Sequence, residues 1–319
     1  MLKRFLLGVA IAATAAAQLH AAAQPQRPVR LVVPFPAGGS TDVVARLMAA
    51  RLSEAWRQPV TIENMAGNAS ISGTHFVASS RADGHTLLAV NAALAMNEAL
   101  SRRLPYHALR SFAPVSLLAH QQLLLVVPAA SRFSTVDELV AAGRAGASPL
   151  PYASSGTGSL SHLAGELLNL MSGASYTHAP QKGARQALDQ LAGRHLSYAI
   201  VPLPRALPYL KDGRLRAIAV TGVNRAATLP DLPTVGASIA GYGVSTWIGL
   251  LAPYGASVQL IRRVNADVQT IMRGDTLVEH LAGLGYEVDA STPGDFQNRL
   301  RADIERYTRI ALDAGIGVQ

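Results

Sequence analysis

The stretch LVVPFPAGGSTDVVARLMAARL, Leu31 to Leu52, decides how the chain is read. A short β-branched apolar run stops at Pro-Phe-Pro, passes two glycines and becomes periodic. VRLVVPF reads as a buried strand ended by prolines. TDVVARLMAARLSEAW reads as a helix. Val44, Leu47, Met48, Leu52 and Ala55 share one face, and Arg46, Ser53, Glu54 and Arg57 the other. A strand, a glycine-bearing turn and a helix form the opening of a parallel α/β unit.

The same grammar continues outward. QPVTIEN and HTLLAVN read as strands, with GTHFVASSRA as a helix between them. Right-handed crossovers then place these strands in one parallel sheet. LLLVVPA, PLPYASS, ASYTHAP, LSYAIVP and LRAIAVTG read as further strands, alternating with helices over TVDELVAAGRA, SLSHLAGELLNLMSG, GARQALDQLAG and PRALPYLKDG. Thr135 and Glu138 have the spacing of a capping box. WIGLLAP reads as a late strand, followed by long helices over SVQLIRRVNADVQTIMRG and PGDFQNRLRADIERYTRIALDAG. No low-complexity linker divides the chain, so two α/β units are interleaved. VSLLAH near Ser116 and TWIGLLAP near Trp247 are the expected crossing segments, which would form a two-strand hinge over a cleft.

Composition bounds the rest. At 319 residues the chain suits two domains, and 49% apolar residues can fill both cores. Lys3 and Arg4, the run FLLGVAIAATAAA and the small residues Ala21–Ala23 form the three parts of a secretory signal peptide, with cleavage expected near Ala23. Later segments offer no run of about 20 uncharged apolar residues. Cysteine is absent, which removes disulfides, thiolate metal sites and cysteine nucleophiles. Loss of residues 1–23 removes two cations and no acid, so the net charge of +8 becomes +6. The cations are scattered without aromatic interleaving, which argues against a nucleic-acid surface. A mild positive field assists capture of small anions.

Two loops carry the chemistry. PFPAGGST, Pro34 to Thr41, and SSGTGSLSH, Ser154 to His162, both join a strand to a helix. A helix start offers free N–H groups and partial positive charge, and glycine lets a ligand approach the backbone. Together these make anion sites, at the carboxyl ends of parallel strands where ligands of open sheets lie. The alternative is a pair of ordinary tight turns with capped helices. Neither loop has Walker or dinucleotide spacing. There is no G-x-S-x-G elbow and no H-E-x-x-H, and the histidines are too dispersed for a metal site. His162, three residues after Ser159, reads as a surface or supporting group rather than a base. Asp42 reads as a structural acceptor in the first helical turn, since a direct contact would repel an anion. Lys182 is either a cation facing the cleft or a solvated loop lysine.

RPVRLVVPFPAGGSTDVVARLMAARL, PVTIEN, ADGHTLL, YASSGTGSLSHLAGELL, HAPQKG, LPDLPTV and TWIGLLAP together resemble the Bug family, the substrate-binding proteins of tripartite tricarboxylate transporters. The resemblance covers nearly all of the chain after residue 23. It implies a two-lobed α/β "Venus flytrap" of the periplasm, each lobe a mostly parallel sheet flanked by helices. It also implies a small carboxylate ligand, permease subunits as partners, and neither cofactor, metal nor catalysis. Carried onto this chain, one ligand loop is Phe35, Pro36, Ala37, Gly38, Gly39, Ser40 and Thr41. The other is Ser154, Ser155, Gly156, Thr157, Gly158 and Ser159. Asn91, Ala92 and Ala93 border the cleft, and Lys182 and Val201 fall at further family positions. Residues 24–120 with 248–319 are expected to form lobe 1 and residues 121–247 lobe 2. A monomer is the default for this architecture. Three stretches depart from the family pattern: Pro180-Gln181-Lys182-Gly183, where an aromatic is usual; Ile200-Val201-Pro202, where Val201 replaces an acid; and ENMAGNASISG. Loss of the acid at Val201 disfavours an ammonium-bearing ligand. Two other readings are an extracytoplasmic sensor of the same fold, and an exported hydrolase using Ser154 or Ser159.

Overall fold

The computed structural model describes residues 27–101 and 103–316. The segment read as a signal peptide lies outside them. Strand β1 (Val29–Val33) pairs in parallel with β2 (Val60–Asn64) and β3 (Thr86–Asn91). Helices α1 (Ser40–Trp56), α2 (Ile71–Ala78) and α3 (Ala93–Leu100) follow these strands in turn, with a short 3-10 turn at Asn68–Ser70. The second parallel group is β5 (Leu150–Ser154), β6 (Tyr176–Pro180) and β7 (Tyr198–Pro202), with β5 central. Its helices are α4 (Val136–Ala145), α5 (Leu160–Ser172), α6 (Ala184–Ala192) and α7 (Leu203–Lys211).

Two long strands join the groups. β4 (Phe112–Pro128) runs antiparallel to β9 (Ser245–Pro253), from Phe112 opposite Pro253 to Gln122 opposite Ser245. From Leu123 onward β4 pairs instead with β7 and with β8 (Leu215–Val220). β9 also pairs antiparallel with β3, so one curled sheet runs β2-β1-β3-β9-β4-β7-β5-β6. Apart from an isolated bridge between Val220 and Thr234, every parallel pairing lies within one of the two βαβ groups, and the antiparallel pairings centre on β4 and β9. A three-residue strand, β10 (Tyr286–Val288), adds to β4.

The core has three parts. One covers the face of β1 and β3 under α1, α9 (Val258–Met272) and α10 (Asp275–Gly283). A second lies under α6 and α7. The largest fills the other face of the curled sheet and includes Trp247, Phe296 and Tyr152. The terminal helix α11 (Pro293–Asp313) packs against both α3 and α5 and so touches both halves. Short α8 (Val235–Ser238) completes the helices among the described residues. None of them is long and apolar enough to cross a membrane.

Candidate ligand-binding cleft

Both sequence-identified loops sit at the carboxyl ends of parallel strands, and they face one another. The loop after β1 and the loop after β5 line a single cavity of about 670 Å³. That volume suits a small ligand. From the first loop, Phe35, Pro36, Gly39, Ser40 and Thr41 reach its wall; from the second, Ser155, Gly156, Thr157, Gly158 and Ser159 do. Asn91, Ala92 and Ala93 add the turn after β3. Five expected residues lie off the wall: Ala37, Gly38, Ser154, Lys182 and Val201. Ser154 and Val201 are fully buried, Val201 within the core under α6 and α7. At Lys182 it is the neighbours Gly183 and Ala184 that reach the cavity.

Polar cross-links hold the first loop. Asp42 is buried, and its Oδ2 accepts from the Gly38 N–H at 2.8 Å and from Arg46 Nε at 2.8 Å. Its Oδ1 accepts from Asn64 Nδ2 at 2.8 Å, and the same amide donates to the Phe35 carbonyl at 3.1 Å. Burial alone would raise the Asp42 carboxyl pKa. The donors Arg46, Asn64 and Gly38 outweigh it and hold the group below its usual value of 3.8. Asp42 is therefore a fastener of the loop and does not line the cavity. No side chain caps α1 at Gly39, so its first N–H groups stay available at the wall.

The second loop is held from beneath. Ser159 Oγ accepts from the His162 N–H at 3.3 Å and so caps α5. His162 Nδ1 accepts from the Gly158 N–H at 3.1 Å. Ser154 Oγ accepts from the Gly156 N–H at 3.0 Å and lies 2.7 Å from His178 Nε2. Ser154 thus supports the loop from the core.

Sequence reasoning did not identify the rest of the wall. Gln121 and Thr246 stand opposite each other on β4 and β9 and floor the cavity where those strands cross. Gln121 Nε2 donates to Ser40 Oγ at 3.2 Å. Ala66 to Ser70 form another wall, with Asn68, Ala69 and Ser70 all at positive φ. Asn97 pins that loop, donating to the Ala69 carbonyl at 2.9 Å and to Ser70 Oγ at 3.2 Å. The signals in the sequence were the departure of ENMAGNASISG from the family pattern and the polar pair Asn97-Glu98 in a helix of otherwise apolar residues. Among the described residues the lining carries no charged side chain. Hydroxyls, amides and backbone N–H groups alternate with Phe35, Met96, Leu123 and Leu160. No group of three or more potential metal-ligating side chains occurs among the described residues.

Comparisons with known proteins agree with this geometry. A family model described as "Tripartite tricarboxylate transporter family receptor" matches residues 44–316. Protein BugT of Bordetella pertussis is 33% identical over 316 residues, covering 97% of this chain and 96% of its own length. The solved structure of R. palustris Rpa4515 with adipate is 34% identical, with a TM-score of 0.82, covering 92% of this chain and 99% of that one. MatC from Rhodopseudomonas palustris with bound malate is 29% identical, with a TM-score of 0.76 over 90% of this chain and 99% of that one. The family is one of substrate-binding receptors, not enzymes, which removes the hydrolase reading of Ser154 and Ser159. The chain belongs to the tripartite tricarboxylate transporter receptor family, the two-lobed Bug-type periplasmic binding proteins.

Proposed function

We propose that this chain captures a small organic carboxylate between the two loops and delivers it, in the periplasm, to membrane permease subunits. One observation carries the reading: two helix-start loops from different βαβ groups converge on one cavity whose described lining bears no charged side chain. A desolvated anion needs donors, and neutral dipoles supply them without an opposite charge that would hold the ligand permanently. The lining contains no carboxylate to receive an ammonium group, so plain organic acids fit better than amino acids. The apolar side chains Phe35, Met96, Leu123 and Leu160 suit a hydrocarbon body between polar ends. The bound adipate and malate of the two solved relatives support the same ligand class. Binding favours the closed arrangement because only there do both loops supply donors.

A thermal-shift screen tests the reading with adipate, malate and aromatic acids, and with a sugar and an alkylamine as controls. A ligand at about a hundred times its Kd adds about 2.7 kcal/mol. A sugar that raises the melting temperature while no carboxylate does would overturn it. Uptake of the labelled acid, lost on deletion of the chain and restored by its return, tests delivery.

A further inference from the structure

A stacked pair of imidazoles beneath the second loop, His162 buried and His178 half-buried, has no part in the cavity wall. His162, in the first turn of α5, stacks on His178 of β6 with ring centroids 3.8 Å apart and planes 17° from parallel. Each ring holds the loop at a different point. His162 Nδ1 accepts from the Gly158 N–H. His178 acts through Ser154, whose Oγ accepts from the Gly156 N–H. Gly156 and Gly158 both sit at positive φ and both line the cavity. The wall's backbone is thus pinned from the core side by two histidines.

The His162 bond requires a lone pair on Nδ1. The neutral ring then carries its proton on Nε2, which faces Glu166 Oε1 at 3.8 Å. A second proton on Nδ1 would set two donors against each other at Gly158. Glu166 is the charged group facing the pair. It already accepts from the Tyr152 hydroxyl at 2.7 Å. The other titratable groups around the pair are phenols: Tyr152 of β5 beside His178, Tyr198 of β7 stacked on Tyr152, Tyr176 of β6 against Tyr198, and Tyr242, bonded to the Ala164 carbonyl of α5. Burial pushes each of these four hydroxyls above its ordinary value, so they stay neutral as the pH falls. Burial lowers the His162 pKa, opposed by Glu166, and lowers that of His178 to about 4, helped by His162. Both rings are neutral at neutral pH and gain protons only in acid.

We propose that His162 and His178 are positioning residues for the ligand loop and make retention of the carboxylate proton-sensitive: a proton on His162 removes the acceptor that holds Gly158, and the loop releases its ligand. The inference rests on the reading of the cavity as a carboxylate site. Linkage requires the converse, that bound carboxylate disfavours protonation of His162.

The test uses adipate, with malate as a second probe, in calorimetry between about pH 7.5 and about pH 5. His162→Asn keeps an acceptor near the Nδ1 position but cannot titrate; His162→Ala has none. At neutral pH H162N is expected to bind within about threefold of wild type, and H162A about tenfold more weakly, the size of one unpaired buried N–H. In acid, wild type should lose affinity beyond what H162N loses. The Gly158 amide resonance of the ligand-free protein should titrate with His162 in wild type and stay still in H162N. Identical acid arms for wild type and H162N would overturn the proposal. So would affinity that rises as the ring protonates, because His162 would then act as a counter-ion. If neither acid binds at any pH, the carboxylate reading has failed instead. The Gly158 amide alone then decides whether the imidazole positions the loop.

Discussion

Asp42 illustrates how a carboxylate can serve an anion site from behind. Its two oxygens take three donors, and none of its acceptor capacity is directed at the cleft. In Asp42→Asn one oxygen becomes an amide NH2 facing donors, and Arg46 loses its counter-charge. The expected cost is about 1–3 kcal/mol in urea unfolding, with adipate affinity lowered about tenfold. Because the carboxyl is held below 3.8, its contribution is complete above that pH and disappears only as pH falls further. Gly38 makes a different point. It sits at φ 74 with open space where a Cβ would be, off the cavity wall. Gly38→Val would therefore act through backbone strain, about 1–2 kcal/mol, rather than by blocking the cleft. A lowered melting temperature with weakened but measurable adipate binding is expected; complete loss of binding with an unchanged melt would mean that valine reaches the ligand. The glycines, prolines and hydroxyls of both loops were legible because they serve local needs of a turn and a helix start. The burial of Val201 and Ser154 behind the wall was not legible, because facing in or out of a cavity depends on the pleat of the strand within the assembled sheet.

At the scale of elements, helix periods were legible and their rotation less so. Of the apolar face of α1, Val44, Met48 and Leu52 are buried and Leu47 packs half-buried against the same core, whereas Ala55 is exposed and Ala45, Ala49 and Trp56 complete the stripe. Small alanines allow the helix to lie close to the sheet, and Trp56 Nε1 bonds Asp267 of α9. The parallel strands could be inferred from their crossovers. β10 and the continuous span of β4 could not, because three residues carry no period and pairing partners are chosen by tertiary contact. Helix α5 depends on a similar close approach. A Cβ on Gly165 would stand 2.3 Å from the Tyr152 ring. Gly165→Ala must displace that ring and its bond to Glu166, at about 1–3 kcal/mol of overpacking; urea unfolding measures it, and an unchanged midpoint would mean that the ring yields freely. The histidines on α5 and β6 also give the fold a pH dependence. Unfolded histidine takes its proton near 6.5, whereas the folded rings resist it, His178 down to about 4. The unfolded state therefore binds more protons across that window, and stability falls as pH drops through it. Melting temperatures from about pH 7 to about pH 4 should decline more steeply in wild type than in His178→Gln, and parallel curves would contradict the assignment.

For the whole molecule, the proposed capture by closure draws on contacts between the second βαβ group and the rest of the chain, and α7 makes two. Its Arg205 Nη2 donates at 3.0 Å to the carbonyl of Gly38, across from its own sheet to the first ligand loop. Its Leu203 lies against the turn at Gly285, where a Cβ would come within 2.5 Å of the leucine. Both contacts lie outside the ligand cavity, so they add to closure without selecting the ligand. Arg205 is exposed. Its single bond to a carbonyl is correspondingly modest, about 1 kcal/mol or less after solvent screening. Removal in Arg205→Ala should leave overall stability within about 0.5 kcal/mol, as for an ordinary surface change. The closed state should lose occupancy, so adipate should dissociate up to about fivefold faster while its association rate stays near wild type. Stopped-flow measurement of both rates separates this from damage to the loop, which would slow association as well. If Arg205→Ala leaves the dissociation rate unchanged, the bond to Gly38 does not bias closure, and the crossing strands with the ligand itself are sufficient to hold the two lobes together.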